Sequence, residues 1–163
     1  MKILIISYYF PPHNSVASLR PYSFAKTFAQ MGHEVTVLTG IKPVSGQNLE
    51  VNPNGFRVLT ARSRSLEWFF SVFGINQVRS TTTQHERLGF RFWRWLRAFR
   101  LSRGIMLIGR LPDPLDLLIY PSRSLLKNEC WDVVISTYAP QYCHAIASWL
   151  KSNGQCHYWI ADF

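Results

Sequence analysis

Asn14, Ser15, Arg20, Thr137, Tyr138, His144 and Asp162 are the residues of this 163-residue chain whose types and places suit chemistry on a polar ligand. An arginine offers a planar fork of donors to an anion, an aspartate accepts from hydroxyls, and hydroxyl and amide side chains suit a ligand rich in hydroxyls, such as a sugar. Histidine can donate, accept or carry a proton near neutral pH, so His144 fits hydrogen bonding to a sugar or acid–base help. Each residue also has a plainer reading. Asn14 and Ser15 fit a helix cap with Arg20 solvated, His144 fits a satisfied core position one helical turn deeper, and Asp162 fits a solvated carboxylate. Other chemistries lack their residues: there is no nucleophile beside a base and no Walker-type phosphate loop. The three cysteines form no Cys-x-x-Cys pair, and Cys143-His144 and Cys156-His157 lack the close spacing of zinc ligands. They read as small buried thiols of a reducing cytoplasm, and neither metal nor cofactor is expected.

The elements that must position these residues follow from pattern. Lys2 to Ser7 is a short apolar run rich in β-branched residues, the signature of a strand buried on both faces of a parallel sheet. A loop from Tyr8 to Ser15 leads to a helix in which Tyr22, Ala25, Phe28 and Ala29 recur on one face. Ser15 or Ser18 caps it, Pro21 belongs in its first turn, and Gly32 ends it. Strands are expected at Glu34 to Thr39, Phe56 to Thr60, Asp132 to Ser136 and Tyr158 to Ala161, with a helix from Pro140 to Ser152 closed by Asn153-Gly154. Alternating strands and helices predict one domain over residues 1–163, an α/β, Rossmann-like, doubly wound and mostly parallel sheet. Ligands bind such sheets outside the carboxyl ends of the strands, where Pro11 to Ser18, Thr137 to His144 and Asp162 converge.

Residues 62–128 break this rhythm. The composition turns to arginine and aromatics, and the segment is expected to be a helical insertion. Within Glu86 to Arg103, Leu88, Phe92, Trp95, Leu96 and Phe99 fall on one helical face, and Arg87, Arg91, Arg94, Arg97 and Arg100 on the rest. With a chain net charge of +9, this is the composition of an interfacial membrane binder. Arg91, Trp93, Arg94, Trp95, Arg97 and Phe99 are its expected contacts, each arginine adding about 1 kcal/mol near an anionic leaflet. The alternatives are a surface helix packed on the sheet, or RNA binding, for which no recognised module is present. No run of about 18 apolar residues exists to span a bilayer, so the expected location is cytoplasmic and peripheral, on the inner face of the membrane.

Three stretches together resemble the family 4 glycosyltransferases of bacterial polysaccharide synthesis. They are Ser7-Tyr8-Tyr9-Phe10-Pro11-Pro12 with Arg20; Ala25-Lys26 followed by Met31-Gly32-His33-Glu34-Val35-Thr36-Val37-Leu38-Thr39; and Trp131 to Ser136 continuing through Pro140 and His144 to Ile160-Ala161-Asp162-Phe163. The first loop departs from the family in carrying His13-Asn14-Ser15-Val16 where many relatives have paired glycines. The resemblance implies the N-terminal, acceptor-side half of a GT-B fold, with a nucleotide-sugar donor bound mainly by a C-terminal domain and a lipid-linked or saccharide acceptor. Because Asp162-Phe163 stands where relatives continue into Arg-Asp, the donor domain is expected to be absent and the chain inactive alone. The alternative is a non-catalytic, membrane-anchoring subunit of a split enzyme with a donor-domain partner chain. Nucleic acid is not an expected partner.

Overall fold

The computed structural model describes residues 1–42, 49, 55–72, 114–138 and 140–163. In order they form β1 (Lys2–Ile6), α1 (Val16–Gln30), β2 (Glu34–Gly40), β3 (Arg57–Ala61), α2 (Arg64–Val72), a 3-10 turn (Pro114–Leu118), α3 (Ile119–Leu126), β4 (Trp131–Thr137), α4 (Tyr142–Ser152) and β5 (Cys156–Asp162). The strands make one five-stranded sheet in the order β3-β2-β1-β4-β5. Every pairing is parallel, so the mostly parallel sheet expected from the sequence is wholly parallel among the described residues.

The pleat sends alternate residues of each central strand into two cores. Ile3 and Ile5 of β1, Val35 and Val37 of β2 and Ile135 of β4 join Ala25, Tyr22 and Phe28 of α1 on one face. Leu4 and Ile6 of β1, Leu38 of β2 and Val134 of β4 meet Leu126 of α3 and Tyr142, Ile146 and Leu150 of α4 on the other. Helices on both faces of a parallel sheet define a doubly wound, Rossmann-like α/β fold, and explain why β1 and β2 carry apolar side chains at almost every position.

Element boundaries lie within about two residues of those expected from pattern. Gly32, with φ of +81°, and Gly154, with φ of +71°, stand just beyond the ends of α1 and α4, in the left-handed conformation that closes a helix. Pro21 corrects one expectation. The helix begins at Val16, so Pro21 lies in the second turn and not the first. Having no N–H, it forfeits the bond to the Ala17 carbonyl, and its ring is buried instead. Of the expected insertion at 62–128, α2, the 3-10 turn and α3 are helical. Arg91, Trp93, Arg94, Trp95, Arg97 and Phe99, with the rest of 86–103, lie outside the described residues.

Candidate functional site

The strand order reverses direction between β1 and β4, which is where an open α/β sheet leaves a crevice at its carboxyl edge. The chain after β1 turns to α1 on one face, and the chain after β4 turns to α4 on the other. Thr137 and Ser136, adjacent at the end of β4, therefore point to opposite faces and build two different clusters.

On the α1 face the Thr137 hydroxyl donates to the hydroxyl of Ser7 at 3.0 Å, which in turn donates to the Tyr9 carbonyl at 2.8 Å. This hydroxyl pair bridges the ends of β1 and β4. Thr137 is level with Asp162 in the β4–β5 register, so their side chains share a face, and Arg20 Nη2 reaches Asp162 Oδ1 at 2.6 Å. The backbone N–H of Tyr138 fixes the strand end by donating to the Asp162 carbonyl at 2.6 Å. The Arg20 side chain is 59% exposed and that of Asp162 17%, so solvent screens the pair and its net stabilisation is about 1 kcal/mol or less. Asp162→Asn is accordingly expected to cost no more than about 1 kcal/mol in urea denaturation, so the pair can be altered without unfolding the protein.

On the α4 face His144 stands in the first turn of its helix, not a turn deeper. Its Nδ1 lies 2.7 Å from the Ser136 hydroxyl, which also accepts the indole N–H of Trp159 at 2.8 Å. Nε2 is buried and has no partner, so His144 is only half satisfied. The Tyr138 ring stacks on the imidazole with centroids 6.0 Å apart, and Phe163 lies 5.0 Å away. Burial lowers the proton affinity of His144, and the negative charge of Asp162 opposes that shift.

The loop between β1 and α1 is held by its carbonyls. Thr39 donates to the Tyr8 carbonyl at 3.1 Å, and Lys42 Nζ donates to the Phe10 carbonyl at 2.9 Å and to Thr39 Oγ1 at 3.0 Å. Burial pushes the Lys42 amine down to about 8, and His13 is lowered first by burial and then by the charge of Lys42. Asn14 is exposed. Ser15 occupies the cap position of α1, but its hydroxyl pairs with that of Ser18 at 2.8 Å and makes no cap bond to the helix backbone.

The structure thus joins Arg20 to Asp162 and Tyr138 to His144, and sets Thr137 beside Asp162, while Asn14 and Ser15 stand at the start of α1. Pattern missed Ser7, Ser136, Trp159, His13 and Lys42. For Ser136 a signal existed, since adjacent polar residues at the end of an apolar strand must face opposite ways. Among the described residues, no group of three or more His, Cys, Asp or Glu is placed to hold a metal ion. Cys143, on the buried side of α4, has its thiol pushed up to about 12 by burial. No helix among the described residues is long and apolar enough to cross a membrane. Comparison of the sequence with protein-family models and with curated proteins gave no match.

Proposed function

We propose that this chain is the acceptor-side half of a GT-B glycosyltransferase, working with a nucleotide-sugar-binding half to extend a lipid-linked or saccharide acceptor in cell-surface polysaccharide synthesis. The observation that carries this reading is the Arg20–Asp162 pair beside the bonded hydroxyls of Ser7 and Thr137, at the carboxyl edge where a doubly wound sheet receives ligands. In this reading Arg20 binds a phosphate of the acceptor lipid, while Asp162, Thr137, Tyr138 and His144 address sugar hydroxyls, with Asn14 and Ser15 at the rim. The donor half is either a further part of the protein or a partner chain. The basic, aromatic segment 86–103 holds the chain against the inner face of the membrane, through Arg91, Trp93, Arg94, Trp95, Arg97 and Phe99.

The test compares phosphatidylglycerol vesicles with and without a polyprenyl-diphosphate-linked saccharide, in enough salt to screen general attraction between a basic protein and an anionic surface. Vesicles bearing the saccharide should bind more protein. Arg20→Gln and Asp162→Asn should each reduce that excess about tenfold or more, the worth of one charge-assisted hydrogen bond. Equal binding to the two vesicles would remove the acceptor-binding reading.

A further inference from the structure

Proton accounting around Ser136 decides what His144 can do. Ser136 is fully buried, and its hydroxyl has one proton to give and two lone pairs to accept with. The indole of Trp159 can only donate, so it occupies one lone pair. The other neighbour of the hydroxyl is His144 Nδ1, at 2.7 Å.

With the imidazole proton on Nδ1, that N–H fills the second lone pair. The serine proton then has no acceptor, and the Nε2 lone pair has no donor. With the proton on Nε2, the serine donates to Nδ1, and the Nε2–H alone lacks a partner. Leaving a buried polar group unpaired costs more than an ordinary hydrogen bond contributes, so the arrangement with one orphan is favoured over that with two. The imidazolium form would also strand the serine proton while burying a charge, and burial already lowers the proton affinity of His144 against the opposing pull of Asp162.

We infer that Ser136 holds His144 as its neutral Nε2–H tautomer, making His144 a hydrogen-bond donor to a ligand oxygen at this sheet edge and not a general base. Ser136 is the positioning residue, and the donation from Trp159 strengthens its hydroxyl as a donor by polarising it. Two of the rings against the imidazole are exposed, Tyr138 at 51% and Phe163 at 84%, so His144 stands next to the surface. The ligand chemistry that satisfies it is an oxygen acceptor, such as a saccharide hydroxyl. That a saccharide comes to this edge rests on the function proposed above; the tautomer does not.

Side-chain nitrogen NMR of histidine-labelled protein, free of ligand, reads the tautomer directly. At about neutral pH His144 should appear as a single neutral Nε2–H species. Ser136→Ala should release it to a mixture of tautomers, and Ser136→Thr, which keeps the hydroxyl, should restore the single form. An Nδ1–H tautomer, a mixture or an imidazolium in the wild-type spectrum overturns the inference, and this holds even if the alanine variant fails to fold.

With the saccharide-bearing vesicles, His144→Gln keeps an N–H donor but no proton-accepting nitrogen. It should hold the excess binding within about twofold, whereas His144→Ala should lose about fivefold, the scale of one neutral hydrogen bond. Equal loss in both variants overturns the donor role. Absence of excess binding by the wild type would instead count against the function proposed above, leaving the tautomer to the spectrum.

Discussion

Gly40→Val is expected to destabilise the fold by about 3 kcal/mol or more, the largest effect of any single substitution near the candidate site. Gly40 is the last residue of β2. A Cβ placed there would overlap Leu118 Cδ1 and sit 3.1 Å from the Tyr142 hydroxyl and 3.3 Å from Tyr8 Cδ2. These neighbours line the α4-side core and cannot easily withdraw, since Leu118 is fully buried and Tyr8 and Tyr142 stand edge to face at 6.3 Å. A β-branched residue ordinarily favours a strand by up to about 1 kcal/mol over glycine, but overpacking a closed core costs about 1–3 kcal/mol for even modest added volume. Sterics therefore win, and Gly40→Ala should show the same sign at about 1–2 kcal/mol. Urea denaturation measures both. The clash also predicts a coupling: Leu118→Ala removes the methyl in the way, so Gly40→Ala with Leu118→Ala should be less destabilised than the sum of the single changes. Simple additivity would mean that the backbone of β2 yields and Leu118 does not.

The sheet was readable in the sequence because its physics is local. A strand buried on both faces must be apolar at nearly every position, and Ile3 to Ile6 and Val133 to Ile135 announce that without any tertiary information. The ends of α1 and α4 were equally plain, because Gly32 and Gly154 take the positive φ that closes a helix. The site was readable only as separate pieces. Arg20 and Asp162 are 142 residues apart, and no periodicity couples the second turn of α1 to the end of β5. Their meeting depends on the strand order, which brings β5 beside β4 and β4 beside β1. Pro21 was misplaced for the opposite reason: a local rule about helix interiors was overridden by the burial of its ring. Lys42 gave no sign at all, since a lysine after a strand is ordinarily solvated.

Lys42 carries the second large expectation, a pH-dependent contribution to stability of about 2 kcal/mol. Burial pushes its amine from 10.5 in the unfolded chain down to about 8 in the folded one. Between those values the unfolded chain holds a proton that the folded protein has released, so this group makes stability rise as pH rises; the contribution is lost again as pH falls through about 8. Two buried acids act in the other sense. Cys143 is pushed up to about 12 from 9.0, and Tyr142 lies well above its ordinary 10.0, so the stability they contribute is complete below those ordinary values and is lost as pH climbs past them. The curve of the whole protein is therefore a compromise, and the difference between wild type and Lys42→Met isolates the amine. That difference should shift by about 2 kcal/mol in favour of the wild type between about pH 7 and pH 9.5. A difference that stays flat over this range would show that the amine is solvated in the folded protein. The same substitution removes the positive charge beside His13, whose proton affinity should rise by the part that Lys42 suppresses, leaving the larger part set by burial. Histidine NMR reads that shift independently of the stability curve. The two measurements together connect the charge on Lys42 to the loop between β1 and α1, because the amine that titrates is the one whose hydrogen bond holds the Phe10 carbonyl, at 2.9 Å, beside the end of β2.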